Sequence, residues 1–97
     1  MKDNKTYYIR QDTPQKSVVF KGTFEHLKWD VFQKTLERIK EKSKKTFFWP
    51  RDIEQLVRTL NYGTNVLGQP LDFYALTTEE IALKKHWPIL EQDEQLN

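Results

Sequence analysis

Residues 7–11 (YYIRQ) and 17–21 (SVVFK) are two short runs rich in aromatic and β-branched side chains, and they flank the segment DTPQK. Such runs favour extended backbone, while Asp12 and Pro14 are turn formers, so the pattern predicts an antiparallel hairpin with a five-residue loop. After Gly22 and Thr23 the period changes. Phe24, Leu27, Val31, Phe32, Leu36 and Ile39 recur at helical intervals, with Lys28, Asp30, Lys34, Glu37, Lys40 and Glu41 on the remaining faces. One long amphipathic helix over about residues 24–43 is expected. Thr23 is placed to cap its start, and Glu25 to complement the positive end of its dipole.

The stretch KKTFFWPR, residues 44–51, joins this helix to the next. Pro50 biases Trp49 towards extended backbone and fits the first turn of a new helix. Ile53, Leu56, Val57 and Leu60 then keep a helical period, and Gly63 is the expected stop. Residues 63–70 (GTNVLGQP) read as loop. Residues 71–76 (LDFYAL) alternate, with Leu71, Phe73 and Ala75 on one side, which predicts a third strand. Thr77 and Glu80 then match an S/T-x-x-E capping box, and Leu76 with Ile81 occupy the positions of a hydrophobic staple. The helix they open must end near Trp87, because Pro88 disfavours helical geometry just before it. The expected fold is therefore α+β, in the order β-β-α-α-β-α. One long and two shorter helices pack on a small, mainly antiparallel sheet.

Length limits the alternatives. At 97 residues the chain has room for a single domain, spanning 1–97, and 13% aromatic content supplies enough apolar area to fold it. Residues 1–5 and 91–97 lack apolar periodicity and are expected to fray. The sequence has no cysteine, which removes disulfides, thiol nucleophiles and cysteine metal sites and suits a reducing cytoplasm. It also has no apolar run of membrane-spanning length. A soluble cytoplasmic protein is the expectation, without membrane contact.

Charge is unevenly spread. The formal net charge is +2, but residues 34–51 hold seven Lys/Arg against two Glu, while residues 52–97 hold three basic against eight acidic side chains. Four lysines, Lys40, Lys42, Lys44 and Lys45, gather where the long helix ends, a position its dipole favours by itself. With Phe48, Trp49 and Arg51 they form the candidate partner-binding surface. If residues 46–49 are extended, Phe47 and Trp49 share one side and Phe48 takes the other. Two of the three rings then serve as anchors between the helices, and an exposed ring among cations becomes a place for a partner to dock.

Catalytic and metal chemistry find little support. His26 stands four residues before Asp30, which can pair them on one helix face, but no third ligand sits at metal-site spacing. GTNVLG has glycines at both ends, yet Gln69 and Pro70 stand where a phosphate loop requires Lys and Ser/Thr. Asp52 with Glu54, and Glu79 with Glu80, lie in expected first helical turns where negative charge is favoured anyway. Ser17 and Ser43 lack a nucleophile-elbow context. No catalytic residue, metal or cofactor is assigned. Two classes of function remain: an accessory or regulatory protein that binds another protein or itself, and, second, a nucleic-acid binder using region 34–51. A helix-turn-helix version of the latter is weak, because its recognition helix would be residues 51–61, where Arg51, Gln55, Arg58 and Asn61 stand beside acidic Asp52 and Glu54.

Overall fold

The computed structural model describes residues 4–43 and 47–91. Strands β1 (Thr6–Asp12) and β2 (Ser17–Thr23) form the expected hairpin, with Ile9 opposite Phe20 and Arg10 opposite Val19. Its loop is held by local bonds. Thr13 Oγ1 accepts from the backbone N of Lys16, and the Ser17 hydroxyl donates to Asp12 at 2.7 Å. Strand β3 (Phe73–Thr77) pairs antiparallel with β1. The sequence pattern gave no sign of β4 (Ile89–Leu90), which lies parallel to β2 on the far side and completes the order β3-β1-β2-β4. The chain is thus an α+β globule in the order β-β-α-α-β-α-β, with helices on a mixed four-stranded open sheet.

The long helix is real in extent but not continuous. Thr23 caps α1 (Phe24–His26) by accepting from His26 N, and a π turn (Leu27–Val31) follows before α2 (Gln33–Ser43). Phe32 N donates to Leu27 O across five residues, at 2.8 Å. The reason lies in the spacing of the apolar side chains. Leu27 and Phe32 are five apart and would point well away from each other on a regular α-helix, whereas the wider turn lets both join Leu36 and Ile39 in the core.

Helix α3 (Ile53–Val66) also departs from expectation. It begins after Pro50 rather than around it, because Asp52 is the N-cap and accepts from Gln55 N at 2.8 Å. It runs through Gly63, which lies buried against Ile39 of α2. The chain turns instead at Gly68, whose φ of 77° suits glycine. Before α4 (Glu79–Lys85) the cap shifts by one residue: Thr78, not Thr77, accepts from Ile81 N. Thr77 is still paired with Tyr8 in the sheet, so its backbone is committed to β3. Leu76 and Ile81, the expected staple, are both exposed. His86 closes α4 in the left-handed region, at φ 60°.

Strand alternation gives the sheet two faces. Ile9 and Gln11, with their partners Phe20 and Tyr74, turn towards α1–α3, where Ile9, Phe24, Leu27, Phe32, Leu36, Ile39, Ile53, Leu56, Leu60 and Tyr74 form the main core. On β3 the inward residue is therefore Tyr74, while Leu71 and Phe73 are exposed. Arg10 and Val19 take the opposite face. Helix α4 leads from β3 at one edge to β4 at the other and must cross that face, where Trp87 covers Arg10 with the guanidinium 5.1 Å from the ring centroid. Val19 and Ala82 are fully buried.

One contact seals the outer edge of β3. The Asn61 amide accepts from Tyr74 N and donates to Tyr74 O, both at 2.8 Å, as a neighbouring strand would. Of the termini expected to fray, residues 1–3 and 92–97 lie outside the described residues. Among the described residues no helix is long and apolar enough to cross a membrane.

Candidate interaction surface

Residues 47–50 belong to no helix or strand, and the side chains of Phe47, Phe48 and Trp49 alternate as the sequence pattern predicts. Phe47 and Trp49 pack against the core, and Pro50 is fully buried. Phe48 points the other way and is 82% exposed. The joint is fastened to α3 by a relative of the capping box. Asp52 takes Gln55 N, and the Gln55 side chain reaches back to accept from Arg51 N at 2.8 Å. Phe48 is thus held outward by anchored neighbours on both sides.

Trp49 sits in an aromatic cluster that the sequence pattern did not reveal. The π turn places Trp29 against it, with centroids 5.4 Å apart, and the Phe47 ring meets it edge-on at 5.2 Å. Lys40 lies 5.7 Å from the Trp49 centroid, and Lys28 lies 4.6 Å from that of Trp29. Trp29 Nε1 donates to Glu25 at 3.1 Å. Phe47 and Trp49 are partly buried in this cluster, while Trp29 at its edge remains exposed. Of the proposed surface residues, Trp49 is therefore an internal clamp with Lys40 against it, and Phe48 is the free ring.

Beside Phe48 lies an open groove of about 300 Å³. Phe47, Phe48 and Pro50 form one wall, and Gln55, Arg58, Thr59 and Tyr62 of α3 form the other. The spacing of these last four was visible in the sequence: 55, 58, 59 and 62 recur at i, i+3, i+4 and i+7, a second stripe beside the core stripe of Ile53, Leu56 and Leu60. Gln55 and Arg58 stood out as polar side chains of that helix, whereas Thr59 and Tyr62 did not. Asn61, the fourth candidate for base reading, is unavailable for it, since both its amide atoms bind Tyr74.

The cations of this region lack carboxylate partners among the described residues. Ion pairs among the described residues are Arg10–Asp12, His26–Asp30 and Lys84–Glu80, and none involves the basic region. Arg10 Nε stands 3.0 Å from Asp12 Oδ2, near enough to attract although not aligned as a hydrogen bond. Lys40, Lys42, Arg51 and Arg58 have no carboxylate partner among the described residues. Lys42 lies in the last turn of α2. Lys44 and Lys45 lie outside the described residues.

Elsewhere, the Tyr74 phenol is held above its ordinary pKa of 10.0, chiefly by burial; the Asp72 charge adds to the rise and a hydrogen bond from Gln11 opposes it. His26 Nδ1 and Asp30 Oδ2 are 3.0 Å apart across the π turn. Among the described residues no group of three His, Asp or Glu side chains converges as a metal site. Comparison with protein-family models, with curated proteins and with solved structures yields no match.

Proposed function

We propose that the chain is a non-catalytic binding module, an accessory or regulatory protein that contacts another protein, or a second copy of itself, through the surface centred on Phe48. One observation carries this reading. A phenylalanine that is 82% exposed is fixed between two packed aromatics and a buried proline, at the lip of an apolar groove. Exposing such a ring forgoes about 1.5–3 kcal/mol of burial energy, which a partner covering it would recover. Phe, Tyr and Arg side chains, here Phe48, Tyr62 and Arg58, are types enriched at protein interfaces. Cytoplasmic residence belongs to the same proposal and draws on the cysteine-free sequence.

Nucleic-acid binding by region 34–51 is the second reading, favoured by the unpaired cations Lys40, Lys42 and Arg51. Its weakness is the supply of rings. A stacking platform for successive bases needs several open aromatic faces, and within this region Phe48 alone of the described rings is bare, since Trp49 is engaged by Trp29, Phe47 and Lys40.

A photo-crosslinking amino acid at position 48, irradiated in the cells that make the protein, separates the readings. The expected result is a discrete protein adduct, to a partner or to the chain itself, that does not form when the probe is moved to Leu71, another exposed apolar position. Adducts to nucleic acid alone, or an adduct pattern identical at 48 and 71, would overturn the proposal.

A further inference from the structure

We infer that the groove beside Phe48 takes an acidic peptide segment that inserts one large apolar side chain; this rests on reading the surface as a protein-binding one. Size is the first ground. About 300 Å³ is at the lower end of the range for ligand sites, suited to an anchoring side chain rather than to a large cofactor. The wall made by Phe47, Phe48 and Pro50 is apolar, so the inserted group is apolar too.

Charge is the second ground, and it gives the occupant its sign. Among the described residues Arg58 is the sole charged one lining the groove, and the backbone of Arg51 is tied to Gln55, another lining residue, through its N. Neither arginine has an ion-pair partner among the described residues. Of the two acids near them in sequence, Asp52 has its carboxylate directed to Gln55 N as a helix cap, and Glu54, four residues before Arg58, forms an ion pair with neither arginine. The Arg58 guanidinium in the groove is therefore left for an incoming carboxylate, which it can grip in two-point fashion, and Arg51 adds a second positive charge on the same stretch of chain. The third ground is the polar stripe along α3. Thr59 carries a hydroxyl, and Gln55, whose Oε1 already accepts from Arg51, keeps an amide donor; these suit the polar backbone of a peptide laid along the helix.

Nucleic acid would also satisfy the arginines. It fits the groove less well, because its bases carry polar edges, which the Phe47, Phe48 and Pro50 wall has no polar side chain to meet, so that its hold would come mainly from charge.

Selection of random twelve-residue peptides displayed on phage, against the intact protein and against Phe48→Ser and Arg58→Glu variants, tests the inference. Both positions are on the surface, so thermal melts should show the variants folded. The expected enrichment is Asp or Glu close to a Leu, Phe or Trp, lost with Phe48→Ser. Arg58→Glu should weaken the enriched acidic peptide about tenfold or more in fluorescence anisotropy, equivalent to about 1.4 kcal/mol. Enrichment that depends on Phe48 but yields neutral or basic peptides overturns the acidic occupant while leaving the binding surface standing. No Phe48-dependent enrichment overturns both. Stronger, salt-sensitive binding of an oligothymidine than of any selected peptide also overturns the inference.

Discussion

Replacing Gly63 by Ala places one methyl group where α3 lies against α2. An ideal Cβ there would overlap Ile39 Cδ1 and stand 2.6 Å from Ile39 Cγ1, against about 3.5–4.0 Å for favourable carbon contacts. Rotation about χ2 could clear Cδ1, but Cγ1 moves only if χ1 changes or the helices separate. Ile39 is fully buried, so neither is easy. Overpacking of this kind costs about 1–3 kcal/mol, and this site belongs near the upper end. Against it, Ala gains about 0.8–1.0 kcal/mol over Gly inside a helix. The net expectation is a loss of about 2 kcal/mol, or a fall in melting temperature of about 8–16 °C for a domain of this size. Urea titration followed by circular dichroism measures it directly. Ile39→Val, which deletes the overlapping Cδ1, completes a double-mutant cycle. Alone it should cost about 0.5–1.5 kcal/mol, and beside Gly63→Ala, where it relieves Cδ1 but keeps Cγ1, it should be close to neutral, a coupling near 1 kcal/mol. A Gly63→Ala protein more stable than the parent, or strictly additive costs, would show that the two helices do not depend on a missing side chain at this point.

Three further outcomes are expected. Trp49→Ala removes contacts with Trp29, Phe47 and Lys40; with Trp49 half-buried the cost should be about 2 kcal/mol, below that of a core Trp, and an unchanged melting temperature would mean that the joint is not pinned there. Thr78→Ala should cost about 1 kcal/mol through loss of the bond to Ile81 N, whereas Thr77→Ala should not show a capping loss; chemical denaturation of the pair would reveal a cap at 77 if the order were reversed. Because the folded-state pKa of Tyr74 lies above its ordinary 10.0, its neutral form is favoured by folding, so this stabilising contribution is complete below pH 10 and is lost as pH rises through the raised value. Stability measured through the alkaline range should therefore fall less steeply for Tyr74→Phe than for the parent, and parallel curves would remove Tyr74 from the account.

The fold class was legible because local patterns and tertiary need agreed over most of the chain. The hairpin, the Thr23 cap, both main helices and a strand near residue 73 follow from side-chain period and turn chemistry, which act over a few neighbours. Three departures have a common cause. The π turn exists because Leu27 and Phe32 must meet the same core. Gly63 is helical because α2 passes over it. Thr78 replaces Thr77 as the cap because β1 holds Thr77 in the sheet. Each is a local preference overruled by a contact distant in sequence. Strand β4 went unread for a similar reason, since two residues carry no period and owe their pairing to β2.

The candidate surface divides in the same way. Sequence alone determined that aromatics and cations meet at residues 47–51 and that Phe48 faces away from its two neighbours, because an extended chain before proline alternates its side chains. Only the tertiary structure decided which side was inside. It brought Trp29 and Lys40 onto Trp49 and turned that ring into a clamp. It also set Arg58, Thr59 and Tyr62 beside Phe48 as the second wall of a groove. A groove needs two elements at a fixed separation, and that separation is set by core packing between helices, which the order of residues along one segment does not contain.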